Sequence, residues 1–239
     1  MKTTLFIIIV LISGCFAGLI HGGLNLVLVE PYLDQAIGIE NQTLFATGEE
    51  EDTTSFWVEY NSYRTWQKGG QVLAGAILGT SIAALVGIVF LFVRKSLPEG
   101  NNIKKMLILS GLMWFTIFVI PFLKYPANPP TVGDAETVVM RGILFLSFIA
   151  ISGLGAIAFY QVYKKIQNKK FLAFVGYATF ISVVFFLLPG NPDEITAPME
   201  LVEGFRGASF VAVSVYWLTL ALILGGFVEK LQERLNLKR

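Results

Sequence analysis

Apolar residues in this chain run together instead of alternating. Six stretches, near Leu5–Val29, Val72–Val93, Met106–Leu123, Gly142–Tyr163, Phe171–Leu188 and Ala208–Val228, are almost free of charge. Each meets or approaches the roughly 20 residues that carry a helix across a hydrocarbon core. Inside lipid a single segment satisfies its own backbone only as a helix. The pattern therefore predicts an all-α, polytopic integral membrane protein of about six transmembrane helices, with residues 1–239 forming a single transmembrane domain. Composition agrees: 54% hydrophobic residues and a mean hydropathy of +0.66 are too apolar for an ordinary soluble domain.

Charge in the connections sorts by sign. With the N-terminus inside, the inner segments carry Lys2, Arg94, Lys95, Lys104, Lys105, Lys164, Lys165, Lys169, Lys170, Lys230, Arg234, Lys238 and Arg239, against Glu99, Glu229 and Glu233. The outer segments carry the other 14 acids and only Arg64, Lys68, Lys124, Arg141 and Arg206, so the balance is +10 inside and −9 outside. That asymmetry predicts a multi-pass protein of the cytoplasmic membrane with both termini in the cytoplasm.

The first run also resembles a lipoprotein signal, with Lys2, a short apolar core and Ile12-Ser-Gly-Cys15. Apolar character continues from Phe16 through Val29, which suits a retained helix better than a short signal core. Gly14, Gly18 and Gly22 recur every four residues and would let another helix approach closely, as would Gly75 and Gly79 in the second span. His21 and Asn25 are also four apart, and their cost in lipid predicts that they face protein or water. Glu30-Pro31 is expected to close this helix.

Residues 41–70 are expected to form an outer acidic and aromatic loop. It begins with the sequon Asn41-Gln-Thr43 and the solvated run Glu49-Glu-Glu-Asp52. Phe56, Trp57, Tyr60, Tyr63 and Trp66 follow at mostly helical spacing, which fits an interfacial amphipathic helix. Gly69-Gly70 then precede the second span. In the middle of the chain, Pro121-Phe-Leu-Lys-Tyr-Pro-Ala-Asn-Pro-Pro-Thr-Val-Gly-Asp134 should end the third span at Pro121 and run extended or in turns from Tyr125 to Pro130.

Three spans thus deliver similar material to the outer face: Glu30-Pro31, Lys124 with Asp134 and Glu136, and Asn191-Pro-Asp-Glu194. Carboxylates, amides and freed carbonyls are the oxygen ligands of hard or borderline divalent cations, and His21 adds a nitrogen. The negative outer charge would concentrate cations at the entrance. A plainer reading treats these acids as a solvated face, with Lys124, Arg141 and Arg206 clamping them or gripping an anion instead.

Other chemistries lack their parts. No phosphate-loop, paired-cysteine, His-Glu-x2-His or Gly-x-Ser-x-Gly motif occurs, so neither ATP-driven transport nor enzymatic activity is expected. The lone Cys15 excludes an internal disulfide, and the lone His21 excludes a zinc site built from several His or Cys residues of this chain. The inner lysines suit topology and anionic headgroups, not nucleic acid.

His21, Val29-Glu-Pro-Tyr-Leu-Asp-Gln-Ala-Ile-Gly-Ile-Glu40, Arg64-x2-Gln67, the stretch from Pro121 to Asp134 and Gly204-Phe-Arg-Gly-Ala-Ser209 resemble the CbtA family of predicted cobalt transporter subunits. Lys124-Tyr-Pro-Ala-Asn-Pro-Pro130 is the most specific part. The resemblance implies cobalt supply for cobalamin and a small one-span CbtB-like partner with a histidine-rich end. It also implies about five spans where hydropathy counts six.

Carried onto this sequence, the resemblance points to His21, Glu30, Asp34, Glu40, Arg64, Gln67, Lys124, Asn128 and Asp134. The expectation is a transporter subunit for divalent metal uptake, with His21, Glu30, Asp34, Glu40 and Asp134 as metal ligands. Asn25, Arg64, Gln67, Lys124, Asn128, Arg141, Asn191, Glu194 and Arg206 are supporting or clamping groups. Cobalt, or a similar metal, is cargo, with no cofactor tightly bound. The expected partners are membrane lipid, the CbtB-like subunit and, as a homo-oligomer, further copies of the chain, with no nucleic acid. Two rival functions stay open: a non-transporting structural subunit of a membrane complex, and a transporter of another small ion.

Overall fold

The computed structural model describes residues 3–130, 132–166 and 168–236. Lys2, Lys238 and Arg239, assigned above to the inner side, lie outside the described residues, as do the side chain of Arg234 and, in the central stretch, Thr131. The described chain is helical: α1 (Thr3–Leu24), a π-helical segment (Asn25–Val29), α2 (Glu30–Thr47), α3 (Thr54–Val93), α4 (Asn102–Trp114), a second π segment (Phe115–Val119), α5 (Ile120–Lys124), a 3-10 turn (Ala135–Thr137), α6 (Val138–Lys165), α7 (Phe171–Leu187) and α8 (Met199–Asn236). Five continuous helices are long and apolar enough to cross a membrane: Thr3–Thr47, Thr54–Val93, Asn102–Lys124, Ala135–Lys165 and Met199–Glu233. The sixth apolar run is the shorter α7, whose 17 residues rise about 26 Å. Five long helices and one short one account for the two span counts.

Three boundaries differ from the sequence reading. Pro31 does not close the first helix, which runs unbroken through it to Thr47. In an α-helix the Pro31 ring would clash with the Val27 carbonyl. Here the preceding turn is π-helical, with the Glu30 N–H donating to the Asn25 carbonyl, and the widened turn accommodates the ring. The same device carries the third helix past Pro121 to Lys124, because the Ile120 N–H donates to Phe115. Gly69-Gly70 likewise interrupts nothing, since α3 is one 40-residue helix.

Most of the expected loop at 41–70 is therefore helix, and only residues 48–53 turn the corner. Gly48 takes φ 75°, the left-handed geometry that ends α2, and Thr53 caps α3 by accepting from the Phe56 N–H. Phe45 packs edge-on against Phe56, 5.0 Å between centroids, and Trp57 donates to Asp52 at 2.6 Å. From Tyr125 to Pro130 the chain is non-helical, as Pro126, Pro129 and Pro130 dictate.

The chain divides into two compact units. One comprises residues 1–111, 129–131 and 199–239, and the other residues 112–128 and 132–198. In the first unit α1 and α3 lie closely antiparallel. A methyl on Gly18 would collide with the Gly75 backbone, one on Gly14 with Gly79 and Thr80, and one on Gly22 with Val72. The glycine stripes that the period of four predicts are this seam. Tyr216 of α8 adds a third helix by donating to the Gly79 carbonyl at 2.9 Å. In contrast, the outward sides of α1 and α3 expose Leu5, Ile8, Phe16, Leu73, Ile77 and Leu85, as a lipid-facing surface requires.

In the second unit Ile120, Phe148 and Ile181 form a core joined by Tyr177, Phe180 and Phe185. Ser152 donates to the Thr116 carbonyl and is hydrogen-bonded to the Tyr177 hydroxyl at 2.8 Å.

Candidate functional site

In the first unit, two oppositely charged pairs meet. Glu30 and Asp34 are one turn apart on α2, and Arg64 and Lys68 are one turn apart on α3. The register set by the glycine seam carries on through the π segment and brings the two pairs together. Arg64 Nη2 donates to Glu30 Oε1 and, at 2.8 Å, to Asp34 Oδ1, while its Nη1 donates to Gln67 Oε1 at 2.7 Å. Lys68 Nζ donates to Asp34 Oδ2 at 2.9 Å and lies 3.9 Å from Glu30.

Burial is graded across this cluster. The Arg64 and Glu30 side chains are 9% and 7% exposed, whereas those of Lys68 and Asp34 are 38% and 45% exposed. An isolated buried carboxylate would be costly, and the guanidinium is the partner that supplies the opposite charge to Glu30 below the surface. One planar cation thus holds oxygens from three residues, Glu30, Asp34 and Gln67, and a second cation steadies the exposed end.

The π segment also determines what lies below. Five α-helical residues would turn Glu30 about 140° away from Asn25, but the π bond from Glu30 back to Asn25 sets one nearly above the other. Asn25 Nδ2 is 3.3 Å from His21 Nε2, and His21 Nδ1 is 3.2 Å from the Ala212 carbonyl. These contacts select the tautomer with the proton on Nδ1, donating to Ala212, while Nε2 accepts from Asn25. The His21 ring lies 5.7 Å from that of Tyr216. On α3, Gln71 continues the face of Arg64, and its buried Oε1 has no hydrogen-bond partner among the described residues.

In the second unit, Arg141 Nε lies 2.8 Å from Asp193 Oδ2, which also accepts from Thr137 at 2.8 Å. Arg141 Nη2 donates to the Asp134 carbonyl at 2.9 Å. A side chain at Gly133, whose φ is 110°, would strike both Arg141 and Asp193. The Asp134 carboxylate caps the 3-10 turn through the Glu136 N–H. Asn191 accepts from the Asp193 N–H, and Glu194 is exposed. Lys124 lies over the Phe185 ring at 4.9 Å. Tyr125 donates to the Pro189 carbonyl at 2.6 Å, and burial pushes its phenol above the ordinary range.

Of the residues singled out in the sequence, the structure therefore joins Glu30, Asp34, Arg64 and Gln67 in one cluster, His21 with Asn25 in a second, and Asp134 with Arg141 in a third. Glu40 is exposed on a different face of α2 from Asp34. Asn128 and Arg206 are half-buried and engaged with neighbours. Among the described residues no three His, Cys, Asp or Glu side chains are grouped so as to hold a metal ion. Two members of the clusters were missed. Lys68 was legible from its spacing of four to Arg64, matching that of Glu30 to Asp34. Asp193 was passed over for its neighbours Asn191 and Glu194, although Thr137 and Arg141, also four apart, offer it a joint donor face.

No curated protein and no solved structure matches this chain. A family model described as "Probable cobalt transporter subunit (CbtA)" matches residues 3–229. With almost the whole length matched, on a helical fold with five helices fit to cross a membrane, the chain belongs to the CbtA family of probable cobalt transporter subunits.

Proposed function

We propose that this multi-pass subunit carries divalent cobalt, or a closely similar cation, inward across the cytoplasmic membrane, with both of its termini in the cytoplasm. The supporting observation is the line of polar groups in the first unit. It starts at the half-exposed Asp34 and passes the buried Glu30 with Arg64 and Gln67. Below them lie Asn25 and His21, between helices that are otherwise apolar. Ionisable groups at that depth are costly and mark ion pathways more often than packing.

On this reading the acidic outer surface, to which Asp134, Glu136 and Glu194 contribute, raises the local cation concentration. Glu30, Asp34 and the Gln67 amide give the arriving cation three oxygens, a donor set suited to a partly hydrated divalent metal. His21 is the next station. Its Nε2 lone pair, held by the weak Asn25 contact, is the one imidazole nitrogen free to turn to a metal, because Nδ1 carries the proton. With one histidine in the chain, further imidazoles would come from a small one-span CbtB-like partner. The membrane potential supplies the drive: about 2.3 kcal/mol per charge per 100 mV, hence roughly 4.6 kcal/mol for a divalent ion.

A second reading, a non-transporting scaffold subunit, draws support from the glycine seam, whose backbone-to-backbone contact suits rigid assembly. The anion reading is less well supplied, since Arg141 is paired with Asp193 and Lys124 lies over Phe185.

Cobalt accumulation in cells decides between the first two. Cells expressing the chain with a CbtB-like partner should accumulate cobalt, and Glu30→Gln at matched membrane abundance should abolish it. Equal accumulation with and without the correctly inserted chain would favour the scaffold.

A further inference from the structure

We propose that Arg64 and Lys68 are resident counter-ions of the Glu30–Asp34 site, which a divalent cation must displace together in order to bind. This rests on the reading of that site as the cation's entry point, and it adds a rule for what is admitted.

The argument begins with charge. Glu30 and Asp34 bring two negative charges, and Arg64 and Lys68 bring two positive ones within 4 Å of them. A doubly charged ion that replaces both leaves the carboxylates as well compensated as before. A singly charged ion replacing either one merely exchanges like for like, and it forfeits the hydrogen bonds that side chain makes.

Geometry supports the same conclusion. The Arg64 guanidinium donates to Glu30, Asp34 and Gln67 at once, so it occupies the point on which three oxygens from three residues converge. That is the position a hard cation would take. The occupation is imperfect: Arg64 as a whole is 7% exposed, and its Nε is buried with no hydrogen-bond partner among the described residues. A desolvated donor without an acceptor weakens the hold of this side chain relative to a fully satisfied one. Lys68 is more than a third exposed and can swing into water with little cost. The exchange then proceeds from the exposed end inward, Lys68 leaving Asp34 first and Arg64 leaving Glu30 and Gln67 second.

A purely structural ion-pair cluster would behave in the opposite way to a displaceable one, and titration of the full-length protein in lipid nanodiscs with cobalt chloride separates them. Displacement predicts that Lys68→Gln binds cobalt about two- to fivefold more tightly than wild type, since one competing, partly exposed ion pair has been removed. It also predicts that added potassium chloride weakens cobalt binding more in Lys68→Gln than in wild type. Arg64→Gln should bind more tightly still where it inserts and folds, but Lys68→Gln, changed at the exposed end, carries the test if it does not. Binding that Glu30→Gln abolishes while Lys68→Gln leaves it unchanged or weaker would overturn the displacement and leave the cation site standing. Absence of cobalt binding in wild type and in all three variants would overturn both.

Discussion

Arg64 reaches from α3 to the carboxylate of Glu30 on α2, and both side chains are more than nine-tenths buried. The pair joins two helices that each extend well past the roughly 30 Å of hydrocarbon: 45 residues of α1–α2 rise about 68 Å, and 40 residues of α3 about 60 Å. The cluster therefore sits where the apolar runs of both helices give way to polar helix.

Breaking this pair on one side strands a buried charge. Arg64→Gln should destabilise the protein by about 3–5 kcal/mol, whereas the double variant Glu30→Gln/Arg64→Gln should recover most of that loss. Thermal unfolding of the purified protein in detergent measures both. A double variant no more stable than the single one would show that the two groups are not coupled.

The glycine seam yields a contrast between neighbours. Gly18→Ala pushes a methyl into the Gly75 backbone and should cost about 1–3 kcal/mol. Gly23→Ala meets open space and should be neutral or slightly stabilising, because alanine is the better helix former. The ratio of folded to aggregated protein after extraction reports the difference.

A carbonyl in the second unit has lost its backbone donor. In the π register around Phe115–Val119, the Thr116 carbonyl would accept from residue 121, which is a proline without an N–H, and Ser152 donates to it instead. Ser152→Ala should cost about 1–3 kcal/mol. The same change should cost less in a Pro121→Ala background, where a backbone donor is restored. Equal costs in both backgrounds, read from unfolding midpoints, would separate the serine from the proline.

Much of this was legible because membranes impose length. The six apolar runs and the period of four in Gly14, Gly18 and Gly22 follow from bilayer thickness and helix geometry, and the helices match them. Pro31 and Gly69-Gly70 misled for a physical reason: both are helix breakers by local propensity, and both lie inside continuous helix. A single π turn removes the clash at Pro31, and nothing in the letters of Asn25–Val29 announces such a turn.

The candidate site was legible by parts. Glu30, Asp34, Arg64 and Gln67 were named, but the partnership of the acids with the bases depends on the α1–α3 register, which no local pattern fixes. Lys68 was missed because residues 41–70 were read as a loop, where its helical spacing to Arg64 carries no weight, and Asp193 because it sits between the more conspicuous Asn191 and Glu194.

Orientation is testable without a transport assay. With Cys15→Ser as background, Glu50→Cys should react with a membrane-impermeant maleimide added outside intact cells, and Lys169→Cys should react only after permeabilisation. The reverse pattern would invert the protein and put the Glu30–Asp34 cluster on the cytoplasmic side.

The most direct measurement is cobalt uptake into proteoliposomes containing the purified chain with a CbtB-like partner, under an inside-negative potential. The account predicts uptake that grows with the potential, falls at least tenfold in Glu30→Gln, and falls in His21→Ala with the protein still folded. Uptake by wild type that neither substitution reduces would contradict a path through this first helix.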